Sequence, residues 1–131
     1  MATPLRTVRV HQIPENVTQQ EEKIFLRDLQ VYLDSERPKI VLDCSRIQAM
    51  DIATIRLLLS CLEVVMKRNG DVRLAALAST DEASLRYAGI KRLFETYKTT
   101  AEAVNSFHQR PVSVLPQALE NEDLDSAEYA A

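Results

Sequence analysis

The chain has 131 residues, 46% hydrophobic and 27% charged, which suits one globular domain with an ordinary core and argues against disorder. Two glycines cannot build a glycine-rich phosphate loop, and two cysteines without a CxxC cannot frame a four-ligand zinc site. With no tryptophan and 5% aromatics, there is little to stack nucleic-acid bases, and the net charge of −3 argues against a nucleic-acid binder too.

That charge is lopsided. Residues 117–131 carry Glu120, Glu122, Asp123, Asp125 and Glu128 with no Lys or Arg, leaving 16 basic against 14 acidic residues before them, near balance. The opening Met1-Ala2-Thr3-Pro4-Leu5-Arg6 has no basic start followed by an apolar run, and no 18-residue apolar stretch follows. Neither a signal peptide nor a membrane span is expected, and the thiols read as reduced and cytoplasmic. Residues 1–6 read as a lead, 7–109 as the domain, and 110–131, broken by Pro111 and Pro116, as an acidic flexible tail.

Thr7 to Ile13 alternates apolar and polar residues, a strand pattern that Pro14 ends. Val17 opens a candidate short second strand. From Thr18 to Leu33 the period becomes helical, with Phe25, Leu29 and Tyr32 sharing a face, and Thr18 with Glu21 has capping-box spacing. After Pro38, Lys39-Ile40-Val41-Leu42-Asp43 is the unbroken apolar run of a strand buried on both faces. Cys44 to Met50 reads as a loop.

Asp51 to Asn69 is the clearest helix. Ile52, Ile55, Leu59, Leu62 and Met66 give the expected buried stripe, and Arg56, Ser60, Glu63 and Lys67 the polar one. Asp51 suits the N-cap, and Lys67, Arg68 and Gly70 suit the end. Val72 to Leu77 is another strand. Ser79 with Glu82 opens a short helix that stops at Gly89, Leu93 to Tyr97 is a last strand, and Thr99 with Glu102 caps a helix through Ala103, Val104 and Phe107. The order β(β)αβαβαβα predicts an α/β fold: a mixed, mainly parallel sheet of four to five strands with about four helices, and an antiparallel pairing of the first strand left open.

Candidate chemistry is sparse. Asp43 and Asp51 flank one loop at the carboxyl end of a strand, where open α/β sheets bind ligands. Paired carboxylates there suit acid/base work, but no nearby Lys or His base accompanies them, and the simpler reading is a strand end and a helix cap. Cys44 reads either as a nucleophile near a helix start or, more simply, as a small core residue. Cys61 reads as packing, and His11 and His108 as structural or surface groups. No metal and no cofactor is expected. Ile52 is open: it either begins the buried stripe or is an apolar contact for a partner.

Val41-Leu42-Asp43-Cys44-Ser45, Met50-Asp51-Ile52-Ala53-Thr54-Ile55 and Leu57-Leu58-Leu59 resemble the STAS domain of bacterial anti-sigma factor antagonists. Gly70-Asp71-Val72-Arg73-Leu74 is similar to that family's Gly-x-x-Leu strand entry, and Tyr87-Ala88-Gly89-Ile90-Lys91-Arg92-Leu93-Phe94 to its helix end. The likeness spans about Thr7 to Phe107. It departs at three places. Ile52 stands where the family has the serine that its kinase partner phosphorylates, Thr54 stands at the family glycine, and Pro14-Glu15-Asn16 replaces the first-strand Gly-Glu-x-Asp.

The resemblance implies a non-enzymatic module that docks an anti-sigma factor, of the serine-kinase type, and so regulates transcription without touching DNA. It implies a contact surface of Asn16, Thr18, Ser45, Met50, Asp51, Ile52, Ala53 and Thr54, with no phosphorylation at Ile52, which lacks a hydroxyl. A homodimer is compatible with it. The alternative is a STAS-like structural subunit of a transporter or signalling assembly.

Overall fold

The structure, a computed structural model, describes residues 8–33 and 37–108. The expected lead (1–6) and the expected acidic tail (110–131) lie outside those residues. Strand β1 (Val8–Gln12) leads through helix α1 (Gln19–Val31) to β2 (Lys39–Asp43), then through α2 (Ile52–Met66) to β3 (Asp71–Ala75). Helix α3 (Ser79–Tyr87) and a 3-10 turn (Lys91–Leu93) lead to β4 (Glu95–Tyr97), and α4 (Thr100–Ser106) follows. The sheet order is β1-β2-β3-β4.

All three strand pairings are parallel, running from Val8↔Lys39 to Gln12↔Asp43 in the first, so the antiparallel option for β1 is not realised. The reason is the connection: α1 carries the chain back to the starting end of the sheet before β2 begins. Each crossover steps one strand in the same direction, and right-handed crossovers of that kind stack their helices on one face. Ile40, Leu42, Val72 and Leu74 project onto that face and pack with Leu29, Leu57, Leu58, Cys61, Val65 and Leu85. On the other face Val41 and Ala75 meet Ala103 of α4, with Val8, Tyr97, Val104 and Phe107 around them.

Several expected elements shift. Val17 is not in a strand; it is buried beside Ile13 in the core as the chain turns into Thr18. Thr18 caps α1 as its spacing predicts, its Oγ1 accepting from the Glu21 N–H at 3.1 Å. Thr99 does the same for Glu102 at 3.0 Å. Ser79 does not cap α3: the helix starts one residue earlier than expected, with Ala78 as N-cap, and Asp81 and Glu82 fall in its first turn, where the helix dipole favours them. β3 stops at Ala75 because Ala76 turns to a left-handed φ of 63° while its N–H donates to Tyr97 O at 3.0 Å.

The expected buried stripe of α2 is rotated by about one residue, or roughly 100° around the helix axis. Thr54, Leu57, Leu58, Cys61 and Val65 face the core, whereas Ile52 and Met66 are exposed and Ile55, Leu59 and Leu62 pack less deeply at its rim. α2 ends in a Schellman turn. The Gly70 N–H donates to Val65 O and the Asn69 N–H to Met66 O, with Asn69 at φ 59°. Gly70 also lets two segments approach closely, since a Cβ there would meet the Pro38 carbonyl oxygen and lie 2.7 Å from Val65 Cγ1.

Candidate functional site

The carboxyl ends of β1 and β2 open onto two segments, residues 13–18 and 44–51. The two are tied together. The Gln48 N–H donates to Glu15 O at 3.4 Å, and the Gln48 side-chain amide donates to Glu15 Oε2 at 2.8 Å. At their base the Ile13 N–H donates to Asp43 O at 2.9 Å. A shallow groove lined by Asn16, Thr18, Glu21 and Arg46 runs between them. Sequence-predicted Asn16 and Thr18 therefore lie beside the loop of Ser45, and the hydroxyl of Thr18 is already engaged as a cap.

The loop holds its shape through its two carboxylates. Asp43 Oδ1 accepts from the Ser45 N–H at 3.0 Å, and its Oδ2 accepts from the Gln12 side-chain amide at 3.3 Å. Asp51 is the N-cap of α2: its Oδ1 accepts from the Thr54 N–H at 2.9 Å and from the Thr54 hydroxyl at 2.8 Å. Those two bonds hold the Asp51 carboxyl below its usual range, the backbone donor contributing most. Both carboxylates thus serve backbone geometry.

Thr54 is 2% exposed, so the family-glycine position is filled by a side chain that points inward and locks the cap. Ile52, two residues before it, is 74% exposed. Met50 and Ala53 beside it are half-buried, and Ser45 is exposed. An aliphatic side chain thrust into solvent at the positive end of a helix, with half-buried apolar neighbours, suits a contact surface better than a catalytic centre.

Cys44 lies in the interior, its thiol donating weakly to Leu42 O at 3.6 Å. Burial first, then the nearby Asp43 charge, pushes that thiol up to about 12, which removes the thiolate a nucleophile needs. Cys61 is likewise buried and raised to about 12, mainly by desolvation. Among the described residues, no group of three His, Cys, Asp or Glu side chains is placed to hold a metal. His11 and His108 are on different elements, His11 in β1 and His108 past α4.

One residue near this edge had no signal in the sequence. Asp81, in the first turn of α3, is buried, and burial raises its carboxyl above the usual range. In the run Ser79-Thr80-Asp81-Glu82 either acid looks like an ordinary first-turn residue, so only the packing reveals Asp81.

The STAS domain family matches residues 2–103. No curated protein is significantly similar in sequence. Among solved structures, the chain is similar to an anti-sigma-factor antagonist (STAS) domain protein from Planctomyces limnophilus, at 15% identity and a TM-score of 0.64, over 76% of this chain and 90% of that one. A putative anti-sigma factor antagonist from Thermotoga maritima matches at 18% identity and a TM-score of 0.60, over 77% and 82%. The STAS domain of a SulP transporter from Vibrio cholerae matches at 20% identity and a TM-score of 0.64, over 79% and 83%. At such identities the likeness establishes the fold they share.

Proposed function

The chain belongs to the STAS domain family, and from that premise we propose that it is a non-enzymatic, cytoplasmic protein-binding module of the anti-sigma factor antagonist kind. Its partner is an anti-sigma factor of the serine-kinase type, docked through the start of α2 and the adjoining loops. Binding competes with the sigma factor for the partner and so frees the sigma factor for transcription. The observation that carries the reading is Ile52, 74% exposed where the family has its phosphorylated serine. An apolar anchor of that size at the centre of a small patch supplies affinity by burial on binding. Met50 and Ala53 extend the patch, Asn16, Thr18 and Ser45 form its polar rim, and Thr54 acts from the interior by fixing Asp51.

The family switch works by charge: a phosphate of about −1.5 to −2 at the helix start repels the neighbouring carboxylate and wets the patch. Ile52 cannot carry it. Thr54 is too deeply buried, and its hydroxyl too engaged with Asp51, to replace the missing acceptor. The family position therefore carries no switch, and Ser45, exposed at the rim of the patch, is the remaining hydroxyl there that a kinase could reach; without phosphate on it the docking surface stays on.

The second reading is a STAS-like structural subunit of a transporter or signalling assembly. It is supported by the shared fold of the SulP transporter's STAS domain, and no described helix is long and apolar enough to cross a membrane. Capture of a purified kinase-type anti-sigma factor by the wild type separates the two, since a structural subunit captures none, and Asp51→Lys against Asp51→Asn locates the docking site. Asn keeps a capping oxygen, whereas Lys removes it and adds a cation at the positive helix end. Weaker capture of a purified kinase-type anti-sigma factor by Asp51→Lys, with near-normal capture by Asp51→Asn, is the result expected. Equal capture by all three proteins sinks the docking site.

A further inference from the structure

The stripe Ile52, Ile55, Leu59, Leu62 and Met66 of α2 is not the one that fills the core, since Thr54, Leu57, Leu58, Cys61 and Val65 do that. We propose that it pairs antiparallel with the same stripe of a second copy, α2 against α2, about a two-fold axis at Leu59. The seam does not depend on anti-sigma docking; because both cover Ile52, self-pairing and that docking exclude one another.

The five residues recur at intervals of three and four, the heptad spacing of a helix-pairing seam. Ile52 and Met66, at its ends, are 74% and 54% exposed, and Leu59 between them is half-buried. These three stand seven residues apart, so they align along the outer side of the helix. Ile55 and Leu62 fill the intervals and reach down to the rim of the core. A surface helix normally turns a polar face outward, and an aliphatic line of this length departs from that. The described chain begins on β1, an outer strand, and ends after α4, on the opposite face of the sheet, so neither end runs into α2. The break at 34–36 lies past the Met66 end, where the Arg37 N–H donates to Arg68 O.

The residues flanking the seam choose the occupant. On one flank Leu58 and Val65 are buried in the chain's own core, where a second helix cannot reach them. On the other, one position past Ile55 and Leu62, Arg56 and Glu63 are exposed. A parallel pair of helices sets this flank of each against the opposite flank of the other, whereas in an antiparallel pair like flanks meet. Only the antiparallel arrangement uses the flank that both copies have open. There Arg56 of each copy meets Glu63 of the other, Ile52 meets the second copy's Met66, and Leu59 meets Leu59. Two arginines or two glutamates at these positions would repel; one of each makes the face complementary to itself. In the single chain Glu63 is engaged by Lys67 at 4.0 Å, an exposed pair of the kind that contributes little and leaves the carboxylate accessible. The domain already holds α2 folded, so pairing carries no cost of ordering a helix.

Sedimentation equilibrium of the full chain over a concentration series, up to about 1 mM at the weak end of specific affinity, tests the pairing. The expected result is a rise from 14.8 kDa towards twice that mass. Arg56→Glu and Glu63→Arg each set like charges together at both crossings, and each is expected to weaken association at least about tenfold. Mixed one to one, the two variants regain opposite charges at both crossings of the mixed pair, so association is expected to return to near wild-type strength. Both side chains are exposed, so neither substitution disturbs the core. A wild type that stays at monomer mass overturns the proposal. So does a dimer that both substitutions leave intact, or two weakened variants whose mixture stays apart. None of these readouts involves an anti-sigma factor, so failure here and failure of the docking reading are told apart.

Discussion

Ile52→Ser measures whether the start of α2 presents a surface or a core. Ile52 is 74% exposed, so about a quarter of its side-chain area leaves water on folding. Fully burying an isoleucine is worth about 1.5–3 kcal/mol, so that quarter amounts to roughly 0.4–0.8 kcal/mol. Serine and isoleucine differ little in helix propensity, and the Asp51 cap bonds to Thr54 do not involve residue 52. The expected loss is below about 1 kcal/mol, read as a small shift of the urea midpoint at unchanged slope. Leu58→Ala is the internal reference: Leu58 is fully buried in the main core, and its truncation is expected to cost about 2–5 kcal/mol. A loss of about 2 kcal/mol or more for Ile52→Ser would put Ile52 inside the fold and remove the basis for docking there. The same variant, incubated with a kinase-type partner and ATP, is expected to gain a phosphate that mass spectrometry does not find on the wild type.

Gly70→Ala is expected to destabilise by about 1–3 kcal/mol despite the small change, because the added carbon strikes the Pro38 carbonyl and Val65; a neutral thermal melt contradicts that packing. Native Cys44 and Cys61, both buried with thiols near 12, should resist alkylation at pH 8 and react on unfolding; rapid native modification of Cys44 would revive it as a nucleophile. His11 is held below its ordinary value by burial, reinforced by Arg9 and opposed by Asp28. Its folded value lies below its unfolded one, so its contribution is complete above about pH 6.5 and shrinks as pH falls below that. Urea midpoints should therefore drop less between pH 7.5 and 5.5 in His11→Gln than in the wild type, and equal drops contradict the assignment.

Much of the fold was legible because its strongest signals are local. Thr18 and Thr99 cap as their spacing predicts, Asp51 marks the start of α2, and the unbroken Lys39–Asp43 run is a strand with its centre buried on both faces. The face of α2 was not legible. Leu57-Leu58-Leu59 makes the helix apolar nearly all round, so two stripes one residue apart satisfy the same period. What chooses between them is the packing of α2 on β3 and α1, with Thr54 drawn inward by Asp51. A buried threonine reads in sequence as a polar position, and the exposed Ile52 as a core one. Ser79 misled for a different reason: capping spacing recurs by chance, and α3 begins at Ser79 itself, leaving its hydroxyl one position too late to cap. At the candidate site, the sequence placed Asn16 and Ser45 in separate loops. Only the Glu15–Gln48 tie shows that Asn16 lies against the loop of Ser45, whose Arg46 lines the same groove.

Calorimetric titration of a purified serine-kinase-type anti-sigma factor into the wild-type chain and into Ile52→Arg tests the central claim most directly. Docking through Ile52 predicts saturable one-to-one binding by the wild type. Ile52→Arg should weaken it by about thirtyfold or more, as loss of a central apolar anchor does, with thermal stability near that of the wild type. No binding by the wild type, or equal binding by both proteins, contradicts it.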